Sequence, residues 1–494
     1  MKLIEALLLL FVLLFFVVWT ILVWKGLNPL RLLRSTYKSP KHYLTPASLA
    51  ERERLLKEAN APGPRTGNAM LYAESVARFA EDLSVQETEE LIQFIHLNRL
   101  VNTDVKAQHF AQHCRQDVRL EDLPPATISL IIVCLQRYAK FDAVAECLKH
   151  CFEAKRGAEC LALKTEVERH LCLYRLLYHY LQSSTARVAI LKHFEREAEE
   201  LKASPEFTAP VKLLCDIDDT MLSVLFDTRY PELTVYPGVH QFVHEINSST
   251  STEHEGSALN RLFRGPRIAF LTARPELLRR RSMRELRTCG FFHYSLLMGR
   301  LSNAVLGPER IAAGKLEGFS RYRRVFPEFR FIFVGDNGQG DIDLGKEMLR
   351  HPDLYGVSAV LIHDVVRNHE RRPDIRSDTL AITPYRWNEC IEHGIHSFRT
   401  YISAIFHLYT LSMVDAGAVM RVITKTTTAY SSITFDSEGQ REKLAREIAA
   451  DIVLVMGVLP EAQDDAFFAE MDSYLRQHVD TLIEHRADVT ADIV

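Results

Sequence analysis

The run Val211-Lys212-Leu213-Leu214-Cys215-Asp216-Ile217-Asp218-Asp219-Thr220 decides how this chain is read. An apolar strand passes straight into three carboxylates. In open α/β sheets, ligands bind at the carboxyl ends of the strands. Neighbouring carboxylates repel one another unless a cation joins them, and hard oxygen donors suit Mg²⁺. If the strand continues, alternation puts Asp216 and Asp218 on the same side. Asp-Asp-Thr is also common turn chemistry, so the run alone leaves a turn or helix cap open.

Outward from this run, apolar stretches recur at residues 268–271, 294–298, 329–334 and 357–362, with helical stretches between them. With 211–217 they predict a mostly parallel α/β sheet within residues 206–390. Residues 248–257 are rich in Ser, Thr and Glu and read as a surface loop. The second stretch ends in Thr272-Ala273-Arg274-Pro275. Thr272 can donate to a phosphate oxygen there, or cap a helix starting at Pro275. Lys315 follows in Ala313-Gly314-Lys315-Leu316-Glu317, either to neutralise an anion or as a solvated helix residue. The fourth stretch runs Phe331-Ile332-Phe333-Val334-Gly335-Asp336-Asn337-Gly338-Gln339-Gly340-Asp341. Its glycines permit close backbone approach, and Asp336 is placed to complete a cation site with Asp216. A glycine-rich turn with incidental acids is the alternative.

The order of these four motifs resembles the haloacid-dehalogenase-like phosphatase superfamily. The stretch from Lys315-Leu316-Glu317 through Phe326-Pro327 and Gly335-Asp336 to Asp341, with the closing Val357-Ser358-Ala359-Val360-Leu361-Ile362-His363-Asp364-Val365, resembles the actin-patch type of phosphatidate phosphatase catalytic domain. That family usually has Ser-Gly-Gln where this chain has Asn337-Gly338-Gln339, and often a Ser where this chain has Thr272. The resemblance implies a Rossmann-like α/β haloacid-dehalogenase fold with a minimal cap. It implies Asp216 as nucleophile and Asp218 as proton donor and then base. Mg²⁺ would be held by Asp216, the Asp218 backbone carbonyl, Asp336 and Asp341. Thr272 and Lys315 would bind the phosphoryl oxygens. Asp219 is expected to be structural.

Spacing bears on the substrate. The interval from Thr220 to a helix near Gly238 holds only a short flap, and that from Thr272 to Lys315 one helix–strand–helix passage. An open site suits a large or membrane-embedded substrate. The activity that the resemblance implies, hydrolysis of phosphatidate to diacylglycerol and phosphate, agrees with such a site. The alternatives are a phosphoserine/threonine protein phosphatase of the same superfamily, and a helical scaffold with an inactive phosphatase domain.

The flanks supply the setting. Residues 6–24 carry no charge, and as a helix they span about 28 Å, close to the hydrocarbon thickness. They end at Trp24 and Lys25 with no small-residue cleavage site, so residues 1–25 read as a retained transmembrane anchor. Lys2 precedes the segment, whereas Lys25, Arg31, Arg34, Lys38 and Lys41 follow it. The positive-inside rule then places the remainder in the cytoplasm. Nine scattered cysteines fit reduced thiols on that side. Residues 26–205 and 391–494 show helical periodicity, including a candidate hairpin at 127–152 and a charged terminal helix at 462–485. His393, His396 and His407 are not assigned as metal ligands. With 47% apolar and 25% charged residues, wholesale disorder is excluded. A net charge of -4 gives no global field for nucleic acid. The expected partners are a membrane lipid as substrate, the membrane itself, and proteins recruited by the helical regions.

Overall fold

The structure is a computed structural model and describes residues 101–459 apart from 225, 249–267, 292–293, 300–307, 339 and 366–383. The expected anchor at 6–24, the loop at 248–257 beyond Ser248, and the terminal helix at 462–485 lie outside the described residues. No described helix is long and apolar enough to cross a membrane.

Six strands form one parallel sheet: β1 (Val211–Cys215), β2 (Ile268–Pro275), β3 (Tyr294–Gly299), β4 (Arg330–Asp336), β5 (Val357–His363) and β6 (Ile395–Phe398). Their order is β3-β2-β1-β4-β5-β6, a Rossmann-like arrangement. The strands are nearly continuous apolar runs because both faces of the sheet are covered. Alternation sorts them between two cores. Leu214, Ala269, Leu271, Phe331 and Phe333 face one side, and Leu213, Cys215, Phe270, Ile332 and Val334 the other.

The first core joins the sheet to the amino-terminal helices: α1 (Asp104–Gln116), α2 (Pro125–Leu135), α3 (Asp142–Glu153), α4 (Gly157–His170) and α5 (Ser184–Ala203). The expected hairpin at 127–152 corresponds to α2 and α3, joined through a short turn at Gln136–Tyr138. Buried polar contacts pin this layer to the sheet layer. Lys164 Nζ donates to Glu328 Oε2 at 2.7 Å, and Tyr322 donates to Glu168 Oε1 at 3.2 Å.

The second core is built from α6 (Val239–Ser248), α7 (Arg279–Thr288) and the carboxyl-terminal helices. Two helices of the first face, α8 (Pro308–Val325) and α9 (Asp341–Arg350), carry site residues. After α10 (Pro384–Glu392) come α11 (Tyr401–Thr410), α12 (Ala416–Ser431) and α13 (Glu438–Met456). The helical expectation for 391–494 fails at Ile395–Phe398, which pair in parallel with β5. Gly394, at φ 71°, ends the preceding helical segment in the left-handed region, and the next four residues find hydrogen-bond partners at the sheet edge. A four-residue strand has too little pattern to announce itself.

β1 also ends earlier than the expected 211–217. Asp219 lies at φ 55°, so the chain turns sharply inside the acidic run. The period-two argument therefore does not extend from Asp216 to Asp218. Between Thr220 and α6 the chain forms a small buried hairpin, with Leu222 bridging Val235 antiparallel. Between β2 and α8 lie α7 and β3. The two expected short insertions are thus a flap and a helix–strand passage.

Candidate functional site

The strand order reverses between β1 and β4, and their carboxyl ends bring Asp216 and Asp336 together. Asp341, the first residue of α9, joins them. One oxygen from each of the three lies within 4.8 Å of the others. Gly335 makes this approach possible, since a Cβ there would sit 2.5 Å from Asp341 Oδ2. Gly340 adopts φ 86° to turn the chain into α9.

Lys315 reaches into the cluster from α8. Its Nζ lies 2.6 Å from Asp341 Oδ1 and 3.1 Å from Asp216 Oδ1. All four side chains are buried, with exposures of 0–2%. Three carboxylates against one ammonium leave a formal charge of -2 inside the protein. Burial above all, with Lys315 opposing and Asp341 and Asp218 adding, raises the Asp216 carboxyl to about 7. Burial also drives Asp336 well above the usual carboxylate range, with Asp341 and Asp216 adding to the effect. Burial opposes the charge on Lys315, but Asp216, Asp341 and Asp336 hold its pKa above the ordinary lysine value.

Two oxygens of this cluster have no hydrogen-bond partner: Asp216 Oδ2 and Asp336 Oδ2. Buried acceptors left unsatisfied are costly. The remaining oxygens are engaged. Asp336 Oδ1 accepts the Gly338 N–H at 2.6 Å, and Asp341 Oδ2 faces the Asp336 N–H at 3.4 Å. Two free carboxylate oxygens beside a net negative charge are donors that a metal ion can take. The acidic triad can hold a metal ion.

The other expected residues are distributed around this centre. Thr272, at the turn within β2, is buried. Its Oγ1 accepts the Arg274 N–H at 3.1 Å, which leaves the hydroxyl hydrogen to donate. Asp218 does not join the triad through its side chain. Its carboxylate is gripped by Arg274, through Nε at 2.8 Å and Nη2 at 2.6 Å. Asp219 serves the backbone, accepting the Val224 N–H at 2.8 Å and the Phe226 N–H at 2.7 Å, which orders the flap.

A second buried network adjoins the site; the sequence reading names Asn337, His363, Asp364 and Val365 only as motif positions, and Asp227, Arg229, Arg399 and Glu447 not at all. Asn337 donates from Nδ2 to Asp364 Oδ1 at 2.7 Å and accepts the Val365 N–H, tying the β4 loop to the β5 loop. His363 donates from Nδ1 to the carbonyl of Asp219 at 2.9 Å, and its Nε2 accepts from Arg229 Nη2 at 2.9 Å. Burial holds the His363 ring near pKa 3, with Arg229 adding to the effect, so the ring stays neutral. Arg229, itself fully buried, also pairs with Asp227 at 2.8 Å and with Glu447 of α13 at 2.8 Å. Arg399 pairs with Glu447 and donates to the Asp364 carbonyl at 3.1 Å. The available signal was the cluster of ionisable residues at otherwise apolar positions, such as Asp227, Arg229 and His363.

Compared with known proteins, the chain matches no family model, no curated protein and no solved structure.

Proposed function

We propose that this chain is a Mg²⁺-dependent phosphatase of the haloacid-dehalogenase type, working through an aspartyl-phosphate on Asp216, with phosphatidate as its substrate. The observation that carries the reading is the buried cluster of Asp216, Asp336 and Asp341, with two unsatisfied oxygens at the strand-order reversal. Asp216, Asp336 and Asp341 would hold the ion, with the Asp218 backbone carbonyl as the further donor that the family resemblance implies. Bound there, Mg²⁺ supplies positive charge that offsets the phosphoryl oxygens and the carboxylates.

The chain's own residues divide the remaining work. Asp216 attacks phosphorus as the bond to the leaving oxygen breaks, and Asp218 gives that oxygen its proton. Asp218 then takes a proton from water as the water attacks phosphorus, and the bond to Asp216 breaks. Lys315 and Thr272 donate to the phosphoryl oxygens, and positioning of this kind supplies most of the catalysis in phosphoryl transfer. The small flap at residues 221–237 favours a bulky substrate over an enclosed metabolite. Arg280, Arg284 and Arg287 lie exposed along α7, beyond the phosphate-binding turn, and form no ion pair among the described residues; they favour an anionic lipid surface. The apolar segment at 6–24 would hold the site at a bilayer and raise its effective concentration for lipid.

The test is phosphate release by the full chain from phosphatidate in mixed micelles, with and without Mg²⁺, beside a phosphopeptide. Release that requires Mg²⁺ and vanishes in Asp216→Asn is the expected result. No release from any substrate, or equal release from Asp216→Asn, overturns the proposal. Turnover of the phosphopeptide alone assigns the site to protein substrates.

A further inference from the structure

The guanidinium of Arg274 has two separate anchors. Its Nε and Nη2 edge holds both oxygens of Asp218. Its Nη1 corner donates to Glu285 Oε2 at 2.5 Å and to Ser282 Oγ at 3.1 Å, both on α7. Glu285 is in turn paired with Arg281 at 3.2 Å. Only the first anchor conflicts with the chemistry proposed above. To pass a proton to a leaving oxygen, Asp218 must turn one of its own oxygens toward it. A two-bond fork engages both.

The fork has an alternative partner. A phosphoryl group offers paired oxygens that the same guanidinium edge accepts bidentately. Arg274 is already in the phosphate turn, since its own N–H rests on Thr272 Oγ1. The anchor on α7 lets the guanidinium change partners on one edge while it is held at the other.

We infer that Arg274 is a phosphate-sensing latch. With the site empty of phosphate, it holds Asp218 out of service. When a phosphoryl group enters, the Nε and Nη2 edge moves from Asp218 to the phosphoryl oxygens, and Asp218 is released to meet the leaving group. Only hydrogen bonds exchange, and no covalent bond changes in this step. Arg274 is thus both a phosphate contact and the positioning residue for Asp218. The inference rests on the phosphatase reading for its purpose, and its own test reads binding.

The probe is inorganic phosphate, titrated calorimetrically into the full chain in detergent with saturating Mg²⁺. Arg274→Gln should weaken binding about tenfold or more, as expected for a lost charge-assisted contact, and Arg274→Lys, which keeps charge without the fork, should not restore it. Asp218→Asn should tighten binding several-fold, because the latch no longer has to be opened. That gain should shrink at least threefold when Asp218→Asn is combined with Arg274→Gln. A purely structural clamp, or simple charge removal, gives the same gain in both backgrounds and overturns the latch. Phosphate affinity of Arg274→Gln within twofold of wild type, or no binding of phosphate by the wild type, also overturns it. Coupled binding without turnover of any substrate upholds the latch and sinks the phosphatase reading. Mg²⁺-dependent turnover with uncoupled binding does the reverse.

Discussion

Replacing Asp336 by Asn should stabilise the metal-free protein and abolish its stabilisation by Mg²⁺. Asp336 lies in a triad whose facing oxygens are within 4.8 Å of one another. At that separation and an effective dielectric constant of ~20, each carboxylate pair repels by roughly 3.5 kcal/mol. Asp336 meets two such neighbours, Asp341 and Asp216, and one compensating cation, Lys315. The excess is one repulsion of that size. Protonation caps it: a carboxyl that stays neutral at pH 7 costs about 4 kcal/mol relative to an unfolded chain in which it ionises. The two routes give a gain of about 3.5–4 kcal/mol for Asp336→Asn without metal. Asn preserves the shape and can still accept the Gly338 N–H. The assay is urea unfolding of the full chain in EDTA and in excess Mg²⁺. Wild type should gain about 2.7 kcal/mol when Mg²⁺ stands at a hundred times its dissociation constant, and the variant should gain little. If Asp336→Asn is the less stable protein in EDTA, or responds to Mg²⁺ as wild type does, the argument from buried like charges is refuted.

Two further outcomes follow from other parts of the molecule. Asp451 accepts from Thr400 Oγ1 at 2.6 Å and Ser403 Oγ at 2.9 Å, yet burial raises it to about 6. An acid with a raised folded pKa contributes stability in full below its unfolded pKa near 4 and loses it as pH rises through 6. Asp451→Asn should therefore gain on wild type by up to about 3 kcal/mol between pH 4 and pH 7, measured by unfolding at both ends. Gly335→Ala places a methyl group against Asp341 and should cost about 1–3 kcal/mol of stability. It should also displace Lys315 from its place between Asp341 and Asp216, with loss of Mg²⁺ binding in a titration.

The strand ends were legible because each carries its meaning locally. Asp216, Thr272 and Asp336 follow directly from apolar runs, and a parallel sheet must gather such ends along one edge. Lys315 was legible only by its place in the series, since a lone lysine on a helix has no local signature. The grip of Arg274 on Asp218 spans 56 positions, and nothing in either segment specifies the other. The turn at Asp219 was hidden for a related reason. Its left-handed backbone is held by Val224 and Phe226, which a strand pattern does not include. β6 was missed because partners in β5, not its own four residues, make it a strand.

The ion pairs of Glu447 have a practical meaning for anyone cutting the gene. Arg229 and Arg399 sit at the flap and at the sheet edge, and they share one glutamate on the last described helix as a countercharge, besides Asp227 and Asp364. A fragment trimmed after residue 390 would keep Arg229 and Asp227 but discard Glu447, leaving the buried guanidinium with one carboxylate partner where it has two. A fragment that keeps both of the Glu447 pairs therefore runs through Met456, the end of α13.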